Sequence, residues 1–158
     1  MSSVRDPSGL LAPRLKQALT YWQMKRAGRA MPARRDIDPV DIPALLPYVV
    51  LIDVLAEPLD FRYRLIGTEI RNISRHDYTG RRFSELSGKG RGSVLWAHCE
   101  EVVRRQAPLS GSTPYVRSEH LRRCENVLLP LSEDGEDVTM ILKVISFERA
   151  QATRDRSV

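Results

Sequence analysis

Cysteine is scarce: Cys99 and Cys124 are the only two in 158 residues. Two cysteines cannot make a disulfide framework, and free thiols in a reducing compartment are expected. Long apolar runs are missing too. Nothing approaches the ~20 residues that carry a helix across a bilayer. The stretch from Met1 to Pro13 is polar apart from Leu10–Leu11, which is no signal-peptide core. A cytoplasmic protein with no membrane span is the expectation. Nine Gly and ten Pro fall without any period, which excludes collagen-like and low-complexity chains. Neither an internal repeat nor a dividing linker is visible, and no five like charges stand in a row.

The rest is ordinary for a folded domain. Hydrophobic residues make up 42% and charged residues 28%, and the length suits one domain. Such a domain buries roughly 70% of its unfolded surface and needs no staple. The net charge of +5 is unevenly placed. Residues 1–40 carry eight Lys or Arg against three Asp or Glu, and residues 80–125 carry nine against five. The two remaining segments are acidic by two charges each. A basic excess permits weak attraction to nucleic acid or anionic membrane, but a scattered one is better explained as solvated surface.

Periodicity predicts a helix over 13–27, with Pro13 at its start and Gly28 as its stop. Leu15, Leu19 and Trp22 lie on its apolar stripe. The stripe must cover the main domain or a second copy. A homodimer through this helix, lying outside the main body, is the expectation. Residues 1–12 and 149–158 are read as tails. In the Pro-rich segment 32–47, Asp36, Asp38 and Asp41 invite a calcium-loop reading. The central Gly is missing, however, and Pro47 stands where the bidentate Glu belongs. Capping and turn roles are expected instead.

Residues 48–55 and 61–66 read as a hairpin, followed by one or two helical turns from Thr68. A second long helix runs from about Ser93 to Gln106 and stops before Pro108, burying Leu95, Cys99, Val102 and Val103. Residues 113–117, 121–131 and 138–147 read as strands, the last two joined at Asp134-Gly135. The class is α+β, an antiparallel sheet covered on one face.

Catalytic and metal constellations are not evident. His76, His98 and His120 are scattered over loop, helix and strand edge, and His98-Cys99, adjacent on a helix, point about 100° apart. His98 is the one helical candidate for a haem ligand; an ordinary partly buried histidine accounts for it better. There is no Gly-x-Ser-x-Gly elbow and no Cys/His signature. No metal is expected, and no enzyme. In the basic loop 81–93, Gly88-Lys89-Gly90-Arg91-Gly92-Ser93 precedes a helix N-terminus, a place suited to anions, with Lys89, Arg91 and Ser93 as candidates. It is neither a Walker loop nor a dinucleotide fingerprint. A flexible loop with Ser93 as N-cap explains it more simply.

Several short motifs recur in an informative order: Trp22; Pro32 with Arg34; Asp38-Pro39; Leu45-Leu46-Pro47; Arg64-Leu65-Ile66-Gly67-Thr68; Thr79-Gly80-Arg81; and Leu129-Pro130-Leu131. With two strands, helices and three strands around them, residues 15–148 resemble a bacterial single-domain PAS-like family. The resemblance implies a five-stranded antiparallel sheet with helices on one face and an N-terminal flanking helix (13–29) before the domain proper (30–148). It implies a sensory or signalling protein that acts through a small ligand or a protein partner, since PAS domains bind varied ligands or none. With no room for an output domain, the partner would be contacted in trans. The cavity between sheet and helices would be lined by one face of the second strand. Alternation offers Phe61, Tyr63 and Leu65 or Arg62, Arg64 and Ile66, and the apolar set suits a dry interior. On the last strand Met140, Leu142 and Val144 compete with Ile141, Ile145 and Phe147. Arg64, singled out by the motif, either binds an anionic ligand or ties to Asp36, Asp38 or Asp53; the second is favoured, with a role in folding. The alternative function is a nucleic-acid or nucleotide-binding regulator using loop 81–93.

Overall fold

The structure, a computed structural model, describes residues 3–5, 12–114 and 121–149. The elements in chain order are β1 (Ser3–Arg5), α1 (Pro13–Arg26), β2 (Val49–Leu55), β3 (Asp60–Ile66), α2 (Thr68–Ser74), α3 (Val94–Arg105), β4 (Leu109–Pro114), β5 (Leu121–Leu131) and β6 (Met140–Arg149). Every neighbouring pair in the sheet is antiparallel, in the order β1-β4-β5-β6-β2-β3. Five of these strands are the expected sheet. The three-residue β1, within the stretch expected to be a tail, adds to its edge by pairing with Ser110–Ser112.

Helix α1 starts at Pro13 and ends where Ala27 turns left-handed (φ 49°). Arg29 closes this end by donating to the carbonyls of Lys25 and Arg26, both at 2.9 Å. Leu15, Ala18, Tyr21 and Trp22 are buried and Leu19 is partly buried, packed against β5 and β6 of the same chain. Trp22 Nε1 donates to the Pro130 carbonyl at 2.8 Å. This corrects the placement of α1 outside the body with Leu15 and Trp22 at a dimer contact. A long apolar sheet face needed a cover, and this helix supplies it; its outward residues Lys16, Gln17, Thr20 and Gln23 are polar and exposed.

Between α1 and β2 the chain makes three 3₁₀ turns. The aspartates do capping and latching work here. Asp36 accepts from the Ala33 amide (2.8 Å) and Arg29, and Asp38 accepts from the Val40 amide (3.0 Å). Asp41 accepts from the Tyr21 hydroxyl (2.9 Å) and pairs with Lys25, which ties this segment to α1. The last turn explains a second motif. A side chain on Gly67 would place its Cβ 2.6 Å from the Leu46 carbonyl oxygen and nearer still to that of Pro47. The glycine is there so that the start of α2 can lie on the Leu46–Pro47 backbone.

Strand β3 carries a bulge. Opposite it, Leu51 pairs with Leu65 but Ile52 pairs with Tyr63, so Arg64 is an extra residue. Phe61 and Tyr63 face inward as alternation predicts, and after the bulge it is Ile66 that turns in while Leu65 is 43% exposed. The expected inward position of Leu65 is thereby corrected. Arg62, Arg64 and Asp53 share the outer face. Asp53 is buried and accepts from Arg62 (Nε and Nη2, both 3.1 Å) and from Arg64. Strand β4 begins at Leu109, earlier than expected, because α3 stops at the left-handed Gln106 and Pro108 turns the chain at once. The expected break at Ser118-Glu119, and His120, lie outside the described residues.

Candidate ligand cavity

The sheet has two differently used faces. On one, Glu125 and Ser146 reach the start of α1 through contacts with Ala12 and Arg14. On the other, α2, α3 and the loop between them stand off the sheet and leave a cavity of about 340 Å³. That is near the small end of ligand pockets. Its floor is Val50 and Ile52 of β2, Tyr63 and Ile66 of β3, Cys124 and Asn126 of β5, and Lys143 and Ile145 of β6. Its roof is Ile70 and Ser74 of α2, Tyr78 and Lys89 of the loop, and Val94, Leu95 and His98 of α3. The open choice on the last strand is thus resolved toward the Ile145 side, while Leu142 and Val144 back onto the α1 face.

An aromatic row starts at the cavity wall, with Tyr78 and Tyr63, and runs on into the core behind it. Tyr78 stacks on Tyr63 (centroids 6.2 Å), Tyr63 tilts onto Phe83 (4.7 Å), Phe83 meets Phe61 (5.6 Å), and Phe61 meets the edge of Trp96 (5.0 Å). Five of the chain's ten aromatic residues stand here. Lys89 Nζ lies 5.4 Å from the Tyr78 ring and 5.7 Å from that of Tyr63, and the Arg91 guanidinium lies 5.2 Å from that of Trp96. Cation–π contacts thus hold Lys89 and Arg91. Ser93 caps α3, its hydroxyl accepting from the Trp96 amide at 3.1 Å. Lys89 is thus held by Tyr63 and Tyr78, while Arg91 and Ser93 both serve Trp96, through its ring and its amide.

The other expected residues divide. Tyr63 lines the cavity. Phe61 is wholly buried just behind it, and Leu65 and Arg64 lie on the opposite face of the sheet. Arg64 therefore cannot reach a ligand in this cavity. Its partner is Asp53, among the three aspartates named. His98 does face the cavity, and no side chain intervenes between it and β4: a Cβ on Gly111 would lie 3.1 Å from its ring.

Burial governs the titration of the cavity's groups. It pushes the Tyr63 hydroxyl up, and it pushes the Cys99 thiol, wholly enclosed behind His98, up to about 12, so that thiol is inert. His98 is lowered, first by burial and then by the positive charge of Lys143, which favours neutral imidazole at pH 7. Two polar features escaped the sequence reading. Lys143 and Asn126 sit on the cavity face of β6 and β5. The signal was there: Lys143 has the same parity as Ile141, Ile145 and Phe147, a lone charge in an otherwise apolar alternation.

Comparison with known proteins adds the following. The family described as PAS domain matches residues 11–146. No curated protein and no solved structure matches the chain. Strand order, the helices over one face and the family match over most of the length agree: this chain belongs to the PAS domain family.

Proposed function

We propose that this PAS domain senses a small molecule held in the cavity between the sheet and α2/α3, and signals by contact with a protein partner. Membership of the family makes it a sensory or signalling domain, of a kind that is typically non-catalytic. The observation that carries the ligand reading is the 340 Å³ cavity, walled by apolar and aromatic side chains with a few polar groups on one side. A route for the signal is also present. On β6, Lys143 and Ile145 face the cavity while the intervening Val144 faces the α1 side. A ligand that shifts β6 shifts the seat of α1, and α1 presents a polar outer face on which a partner, or a second copy, can read the change.

The test is mass spectrometry of small molecules released from protein purified under native conditions. It is run on the wild type and on Ile145→Phe, which fills the cavity. A compound released by the first and missing from the second is the expected result. No compound from either, with no difference in thermal stability on adding cell metabolite extract, would remove the ligand reading. No helix of the described residues is long and apolar enough to cross a membrane.

A further inference from the structure

The cavity's chemistry narrows what it can hold. Among the described residues its lining includes two lysines, one histidine and one asparagine, and no aspartate or glutamate. Lys143 is half-buried and makes no ion pair or hydrogen bond among the described residues. Its strand neighbours are Val50 across to β2 and Leu128 across to β5, so apolar side chains flank the root of its chain. A buried ammonium without an anion is costly, and a lysine here is tolerated either by stretching to water or by meeting a negative charge in the cavity. Asn126 gives an independent sign. Its Oδ1 is buried, abuts Gly111, and has no donor among the described residues. Buried acceptors are nearly always paired, so a donor belongs there. His98, beside both, can serve a ligand either as donor or as acceptor.

We infer that the ligand is a small amphipathic organic acid, its carboxylate paired with Lys143 and its apolar or aromatic body lying on Val50, Ile52 and Ile145. A hydroxyl on that body would supply the donor that Asn126 Oδ1 lacks. A neutral oil-like ligand leaves the ammonium unpaired, and a cation meets Lys143 and Lys89 with no acid to hold it. A highly charged anion such as a nucleotide phosphate has no second cluster of free donors and too much polar surface for these walls. The inference rests on the cavity being the ligand site, and the experiment separates the two.

The probes are hexanoate and para-hydroxybenzoate, each beside its neutral amide, hexanamide and para-hydroxybenzamide. Binding is followed at pH 7 by amide chemical shifts, which also locate the site. Both variants, Lys143→Met and Lys143→Gln, are first checked for a folded spectrum. At least one acid should perturb Val50, Ile52 and Ile145 and bind about tenfold or more tighter than its amide, as expected for a hydrogen bond to a charged group. Lys143→Met and Lys143→Gln should reduce the acid to the level of the amide, while Lys143→Arg keeps the preference. If the amides bind in the cavity as tightly as the acids, or if both neutral variants keep the preference, the acid assignment falls and the ligand site stands. If none of the four probes perturbs the cavity residues, the acid assignment falls, and the ligand site is decided by the mass-spectrometric test above.

Discussion

At Gly67 the limit is space, not dihedral freedom. Its φ of −61° suits any residue, but an added methyl has no room beside the Leu46 and Pro47 carbonyls. Gly67→Ala should therefore lose about 1–3 kcal/mol, as overpacked sites do. Gly28→Ala, with φ of +80° and open space around it, should lose only about 1 kcal/mol. Thermal or urea unfolding of the two variants tests the order. Arg64 teaches a different lesson. An aspartate partner with a role in folding is the expectation for it, and the partner is Asp53, but 57% of the Arg64 side chain is exposed. The buried member is Asp53, which keeps two bonds from Arg62 when Arg64 is removed. Arg64→Ala should then cost less than about 1 kcal/mol, in the range of surface pairs. Removing Arg62 and Arg64 together strands Asp53, and should cost more than the two single losses combined.

Among the elements, α3 couples the cavity to pH. His98 sits on it and shares the cavity lining with Lys143 of β6, whose charge acts on it, and with Lys89 of the loop, Cys124 of β5 and Tyr63 of β3. Because its folded pKa lies below the ordinary value near 6.5, the folded state takes up its proton less readily than the unfolded chain. Its contribution is fully present above that value and is lost as pH falls below it. Urea midpoints should therefore drop between roughly pH 7 and 5, and His98→Gln should flatten that part of the curve. An unchanged slope in the variant would assign the acid sensitivity elsewhere. The helix itself was plain in the sequence. Ser93 and Pro108 bracket it, and the Asp134-Gly135 turn and the β2–β3 hairpin were equally legible because each has a local chemical signature. The bulge at Arg64 was not, because pairing register depends on the opposite strand and Leu65 fits an inward position by its chemistry. Nor was the aromatic row: Tyr63 comes from β3, Tyr78 and Phe83 from the α2–α3 loop and Trp96 from α3, and only the tertiary fold assembles them.

For the molecule as a whole, α1 decides whether the sheet has one covered face or two. The expected homodimer and the observed cover over the sheet answer the same apolar stripe, so periodicity alone does not tell them apart. With Leu15, Ala18 and Trp22 buried in the same chain, a truncation beginning at Ala30 should uncover β5 and β6. It should melt at a markedly lower temperature, bind the dye ANS, and self-associate on gel filtration. A truncated chain as stable and as monodisperse as the full one would show that the helix is dispensable. The sheet's margins have their own consequence. On the β3 side the Tyr63 amide donates to the Arg81 carbonyl (3.1 Å) and the Gly80 amide to the Tyr63 carbonyl (2.7 Å). On the far side β1 occupies Ser110–Ser112 of β4. Main-chain groups at Tyr63 and at Ser110–Ser112 are thus already paired, which shortens the free edge that could template a foreign strand. Each short latch therefore acts against fibrillar growth by strand addition, and opening either one should raise the propensity of the native state to aggregate edge to edge.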